Sequence, residues 1–243
     1  MKTRADLLLV ERGLFASRAK AREAIEAGLV IVNGAVIKKP SDMVAQDAQI
    51  DVRKPYPWVS RGGLKLEAGL AHFNIDAKNR ICLDVGSSTG GFTDVLLANG
   101  AAKVFAVDVG QGQLHEKLRA DARVISLEQT DARTLDRTLI PDAPSLIVCD
   151  ASFISLKLVL TKALELAAPG AFLVALIKPQ FEAGREAVRG GKGVVRDGAI
   201  HQTVCDNIAK WLADRGWRVL GITASPIEGG DGNREFLIGA QNE

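Results

Sequence analysis

The stretch "LDVGSSTGGFTDVLL", residues 83–97, constrains the fold more than any other part of the chain. An apolar strand-like run meets an acid and a glycine, turns through Gly86–Gly91, and opens a helix. The same alternation continues on both sides. Strands are expected at 81–85, 103–108, 123–127, 145–149, 171–177, 218–224 and 234–239, with helices at 92–98, 155–168 and 198–215. Apolar strands alternating with helices predict an α/β fold, a Rossmann-like sheet with helices on both faces.

The glycine turn narrows the ligand. A dinucleotide fingerprint reads G-x-G-x-x-G, and here Ser88 stands at the second glycine. That argues against an NAD-linked oxidoreductase. No G-x-x-x-x-G-K-[ST] phosphate loop is present either. D-x-G-x-x-x-G, Asp84 to Gly90, suits S-adenosylmethionine, whose methionine end carries a carboxylate and an ammonium. A helix N-terminus can take the carboxylate, and Asp84 is expected near the ammonium. Gly86, Gly90 and Gly91 let a ligand lie against bare backbone; Ser88, Thr89 and Phe92 complete the expected cradle. Asp108, at the end of the next strand, is expected on the ribose hydroxyls, and Asp131 on the adenine amino group.

The first 54 residues differ from the rest. "RADLLLVERG" and "RAKAREAIEAG" read as two short helices, the second capped by Ser17. Asn33-Gly34 between apolar runs predicts a tight hairpin, and residues 48–52 another short strand. The prolines at 55 and 57 predict a linker over 55–59. The expected domains are therefore 1–54, a small α+β unit, and 60–243, the α/β unit.

The whole chain carries a net charge of only +2, so affinity for nucleic acid must come from local basic surface. Residues 1–54 hold ten Lys and Arg against seven Asp and Glu, so the small unit is the basic one. Arg18 and Arg22 are i,i+4 neighbours opposite the stripe Ala21, Ala24 and Ile25. Arg4, Lys20, Lys38 and Lys39 add charge nearby in sequence. A second basic stretch, "GREAVRGGKGVVR" (184–196), holds Arg185, Arg189 and Lys192 and is expected to close over RNA backbone as a loop. Trp58 and Phe153 are the candidates for base stacking, with core packing the expected role of Phe153.

Cys82, Cys149 and Cys205 are expected to be buried and reduced, and the histidines form no metal pattern. The longest apolar run, "AFLVALI", is too short to span a bilayer as a helix. A soluble, cytoplasmic protein without an obligate protein partner or membrane attachment is the expectation.

Six stretches, "WVSRGGLKL", "DVGSSTGGFTDVLL", "VDVGQGQL", "CDASFISL", "IKPQFEAG" and "GNREFLI", together resemble the TlyA/hemolysin A family. The resemblance covers nearly the whole chain. It implies a small RNA-binding domain named after ribosomal protein S-four, followed by a methyltransferase domain of the RrmJ/FtsJ type. It further implies S-adenosylmethionine-dependent 2′-O-methylation of cytidine in ribosomal RNA, 16S and/or 23S, free or in ribosomal subunits. The Lys-Asp-Lys-Glu catalytic set of that group falls on Lys65, Asp150, Lys178 and Glu235. A hydroxyl is a weak nucleophile and needs its proton removed or its lone pair aimed. Lys178 is expected nearest that proton, with Lys65 as the neighbouring cation that disfavours a second charge. Asp150 and Glu235 would orient the lysines. The rival readings are a non-catalytic RNA-binding or ribosome-assembly factor and, more distantly, a membrane-lysing hemolysin.

Overall fold

The computed structural model describes residues 2–53, 56–184 and 193–243. They fall into two compact units, Met1–Pro57 and Trp58–Glu243.

The first unit starts with β1 (Lys2–Arg4), α1 (Ala5–Glu11) and α2 (Arg18–Glu26). The Ser17 side chain accepts the Lys20 backbone N–H and caps α2. β2 (Val30–Val32) and β3 (Ala35–Val36) form the hairpin, and Asn33 and Gly34 both take positive φ, as its tight turn requires. β4 (Met43–Ala45) pairs with β1, and β5 (Ile50–Val52) pairs with β2. Leu8, Leu9, Ala21, Ile25, Val30 and Val44 close one small core over these pieces. The pairing of β1 with β4 was not among the expected strands.

The second unit opens with Trp58 and Val59, which were expected in the tether and instead pack on this unit's core. α3 (Gly62–Phe73) leads into β6 (Ile81–Val85), α4 (Gly91–Ala98), β7 (Lys103–Val107), α5 (Glu116–Arg119) and β8 (Val124–Leu127). β9 (Leu146–Cys149), α6 (Leu156–Val159), α7 (Thr161–Glu165) and β10 (Phe172–Ile177) follow. The chain ends with α8 (Pro179–Glu182), α9 (Gly198–Ala213), β11 (Trp217–Ala224) and β12 (Phe236–Asn242). The strand order is β11-β12-β10-β9-β6-β7-β8. β10, β9, β6, β7 and β8 are parallel, while β12 runs antiparallel to both its neighbours.

Alternate residues of each strand enter opposite cores. Leu83, Val85, Ile147 and Cys149 meet α6, α7 and α9 on one face. Cys82, Val104, Leu146 and Val148 meet α3 and α4 on the other. Both faces are covered, which is why the strands read as continuous apolar runs. The helix expected over 155–168 is two shorter ones. The Thr161 hydroxyl bonds the Lys157 carbonyl at 2.7 Å, a local bond that competes with continuous helix where they join. All three cysteines are free and buried, and burial pushes the Cys82 and Cys149 thiols up to about 12.

Candidate active site

Three strand ends and one helix start converge at one edge of the sheet. Ile177 pairs with Phe236 across β10 and β12, so the next residues outward are Lys178 and Glu235. β9, parallel to β10, ends just before Asp150. Lys65 comes from the first turn of α3, which lies close to the sheet: a Cβ on Gly69 would stand 2.9 Å from Val174 Cγ1.

The four side chains form one network. Lys178 Nζ lies 2.7 Å from Asp150 Oδ1, and Lys65 Nζ lies 3.7 Å from Asp150 Oδ2. Lys65 Nζ also donates to Glu235 Oε2 at 2.6 Å. Both lysines and Glu235 are buried. Lys65, expected as the cation neighbouring Lys178, shares Asp150 with it, each amine pairing with a different oxygen. Lys178 Nζ also donates to the Ser152 hydroxyl at 2.8 Å. Sequence reasoning did not single out Ser152; its place two residues past the strand-end acid was the available signal.

Two cavities meet here. One, of about 490 Å³, is lined by Lys65, Asp150, Lys178, Glu235, Thr89, Gly91 and Phe92 among others. The other, of about 460 Å³, lies over the ends of β6 and β7 and includes Asp108, Asp131, Val107 and Val109. Gly86, Ser88, Asp150, Ser152 and Phe153 belong to both walls.

The second cavity fits S-adenosylmethionine. Asp108 is fixed by backbone N–H groups, Ser88 to Oδ2 at 2.8 Å and Gly110 to Oδ1 at 2.7 Å. A carboxylate has about four acceptor sites, so each oxygen can still accept a ribose hydroxyl. Ser88 takes φ +48 to reach Asp108, the conformation a glycine would adopt more cheaply. Val85, Val107, Val109 and Ala132 supply apolar walls for an adenine ring. The Ser87 hydroxyl, at the turn but on the wall of the first cavity, is buried without a partner among the described residues. Asp131 also lines this cavity, but both its oxygens hold the Arg133 guanidinium, at 2.6–3.0 Å. Replacing Asp108 by alanine is expected to weaken S-adenosylmethionine binding roughly tenfold or more, the worth of a charged hydrogen-bond acceptor. Calorimetry giving unchanged affinity removes Asp108 from the donor site.

Two expected cradle residues have other surroundings. Asp84 and Gly90 are not among the residues lining either cavity. Asp84 is buried within β6, where it accepts the Thr93 hydroxyl at 2.7 Å, and its other oxygen has no partner among the described residues. A Cβ on Gly90 would stand 2.2 Å from Leu118 Cδ1, so its missing side chain serves the packing of α4 on residues 114–118.

Burial pushes the Asp84 carboxyl up from 3.8 to about 7, outweighing the Thr93 bond that lowers it. A carboxyl raised on folding holds its proton longer in the folded state. Its contribution is complete below about pH 4 and is lost as pH rises through about 7. Asp84→Asn is therefore expected to flatten the loss of stability between those values, an effect of up to roughly 4 kcal/mol. Denaturant melts across that window check this; an unchanged slope contradicts it.

The basic candidates fall into three groups. In the first unit Arg18, Lys20, Arg22 and Lys38 are exposed, and Arg4 is partly exposed. Arg185, Arg189 and Lys192 lie outside the described residues. Arg61, not singled out from sequence, is exposed on the rim of the first cavity. The stacking candidates exchange roles. Trp58 lies against α3, where a Cβ on Gly63 would stand 2.4 Å from its ring. Phe153, expected in the core, is 89 % exposed; its φ of +65 turns the chain outward after β9. Its ring faces Phe181 at 5.1 Å between centroids. Asn233, two residues before Glu235, is buried and holds Gly193 and Val195 by their backbones.

Comparison with known proteins agrees with this architecture. The sequence matches the FtsJ-like methyltransferase family over residues 58–242 and the S4 domain over residues 3–50. It is 44% identical over 239 residues to the 16S/23S rRNA (cytidine-2'-O)-methyltransferase TlyA of Mycobacterium tuberculosis, covering 98% of this chain and 89% of that one. It is 41% identical to Hemolysin A of Brachyspira hyodysenteriae, covering 96% of this chain and 98% of that one. A solved structure of a hemolysin-type protein from Streptococcus thermophilus shares 44% identity with a TM-score of 0.77, covering 99% of this chain and 88% of that one. The chain therefore belongs to the FtsJ-like methyltransferase family and, within it, to the TlyA/hemolysin A group that adds an S4 domain.

Proposed function

We propose that the protein transfers a methyl group from S-adenosylmethionine to the 2′-hydroxyl of cytidine in ribosomal RNA, free or within a ribosomal subunit, in the cytoplasm. The observation that carries this reading is the junction of the two cavities at Asp150, where two buried lysines and two acids form one network. Burying ionisable groups costs several kcal/mol for each one that carries a charge, before pairing. A protein that only binds RNA has no use for such a cluster at a cavity wall.

Bound S-adenosylmethionine supplies an electrophilic methyl group on a sulfonium. The chain's own residues do the rest. Lys178 is the group placed to take the 2′-hydroxyl proton, and Asp150 at 2.7 Å stabilises the ammonium that results. Glu235 fixes Lys65, which keeps the other Asp150 oxygen engaged. Ser152 holds the Lys178 amine toward the shared wall. Holding oxygen and methyl in line supplies a further part of the rate. Phe153, exposed at the mouth beside Phe181, offers a face for the base of the target nucleotide. Residues 1–57, basic and S4-like, grip the RNA backbone, and residues 58–243 perform the transfer.

Some relatives carry the name hemolysin. Among the described residues no helix is long and apolar enough to cross a membrane. Tritiated S-adenosylmethionine and purified ribosomal subunits test the proposal. Label is expected in RNA and, after alkaline hydrolysis, in dinucleotides, because a methylated 2′-oxygen cannot attack the adjacent phosphate. Label in mononucleotides would mean methylation of a base, and label in protein a different substrate altogether.

A further inference from the structure

The first unit contains a buried acid that the methyl-transfer chemistry leaves unexplained. Asp6, in the first turn of α1, has no solvent exposure. A buried carboxylate needs partners, and Asp6 has two arginines from different elements. Arg4, from β1, donates through Nε to Oδ1 at 3.0 Å and through Nη2 to Oδ2 at 3.2 Å. Arg18, the first residue of α2, donates through Nη2 to Oδ2 at 2.9 Å. These bonds hold the Asp6 carboxyl down to about 2, so it is ionised at any working pH.

The guanidinium groups are not used up. A guanidinium has five donors, and Asp6 occupies two of Arg4's and one of Arg18's. The side chains remain 43% and 53% exposed, so their outer edges face water. The turn that carries Lys38 and Lys39 is tied to the same place. The Ala5 N–H donates to the Asp42 carbonyl at 2.8 Å, and the Asp6 N–H to the Pro40 carbonyl at 3.1 Å. Both lysines are exposed. Two separate elements thus hold guanidinium groups on one buried anion, and a third segment with exposed lysines is tied by its backbone to the same turn.

We infer that Asp6 is a positioning residue for RNA, holding Arg4 and Arg18 side by side as a preset fork for a backbone phosphate. The inference rests on the proposed RNA-binding role of this unit. A free arginine loses rotamer freedom when it grips a phosphate, whereas one already fixed by an ion pair loses little. The contribution of Asp6 is therefore opposite to what its charge suggests. Charge alone says that removing a carboxylate raises the local positive potential and tightens RNA binding. Positioning says that removal loosens it. The sign of the effect separates the two.

The test uses the full-length chain with the near-isosteric Asp6→Asn. At fixed salt, the Kd for ribosomal RNA and the KM in methylation are expected to rise about tenfold, the worth of one hydrogen bond to a charged group. Turnover at saturating RNA and affinity for S-adenosylmethionine stay the same. Circular dichroism and the melting temperature of the first unit stay unchanged in the variant, whereas a merely structural acid would raise KM only by loosening that unit and would lower its melting temperature. Unchanged or tighter RNA binding by a folded Asp6→Asn protein overturns the inference. Should Asp6→Asn unfold the first unit, the Arg4→Lys/Arg18→Lys double variant decides, because it keeps both charges and the acid but loses the fork. Weakened binding there supports the inference, and unchanged binding overturns it. A wild-type protein that neither binds nor methylates ribosomal RNA would instead contradict the proposed function.

Discussion

Replacing Lys178 by alanine is expected to lower turnover by roughly 10²–10⁴-fold, the usual loss when an acid–base group is removed. Affinity for S-adenosylmethionine and for RNA should hardly change. The Lys178 amine is buried against Asp150 and Ser152, and Asp108, Ser88 and the apolar walls of the second cavity remain intact. Lys178→Arg should not restore the rate, because a guanidinium stays protonated and cannot accept the hydroxyl proton. The two variants separate two roles. Activity recovered by arginine would mean that Lys178 works as a fixed cation aiming the hydroxyl. Activity kept by alanine would dismiss the four-residue reading. Single-turnover methylation rates with saturating donor and RNA make the comparison.

Removing residues 1–57 is expected to leave a folded unit that binds S-adenosylmethionine normally and methylates ribosomal RNA poorly. The second unit has its own two cores, and Trp58 and Val59 pack within it. The loss in kcat/KM should be roughly 10²-fold or more, the factor by which a linked second binding module raises apparent affinity. The intact protein's RNA affinity should fall steeply with salt, and that slope should be shallower after truncation, since fewer counterions are released. Equal methylation by the truncated and intact proteins would show that the first unit is not the recognition module.

Much of this architecture is readable before any coordinates, for identifiable reasons. Strands covered on both faces are continuous apolar runs, so β6, β7, β9 and β10 stand out from their neighbours. Asn33-Gly34 announces its hairpin because few other pairs accept two positive φ values. What escapes is set by tertiary contact. α3 is masked by Gly62, Gly63 and Gly69, two of which exist because Trp58 and Val174 come too close for a Cβ. β1 and β4 have three residues each, too few for a period to show. Phe153 sits in an apolar-looking stretch, and only a positive φ after β9 sends it outward.

The candidate site divides the same way. Asp108 is legible from its place at a strand end, and the structure puts it on the cavity wall. Asp84 and Gly90 have the expected identities, yet one bonds Thr93 inside the sheet and the other admits Leu118. The pairing of Lys65 with Glu235 joins residues 170 positions apart, beyond any local pattern. Family resemblance located those two residues, and they meet because α3, with Lys65 in its first turn, packs on β10 and β12 close to the start of β12.

The proposed reaction is methylation of the ribose oxygen of cytidine in ribosomal RNA. The most direct measurement maps 2′-O-methyl groups across ribosomal RNA from cells with the intact protein, without it, and with Lys178→Ala. One or a few 2′-O-methylcytidines are expected to be present with the intact protein, absent without it, and absent with the variant. An identical ribose-methylation map in all three, or a difference confined to methylated bases, would contradict it.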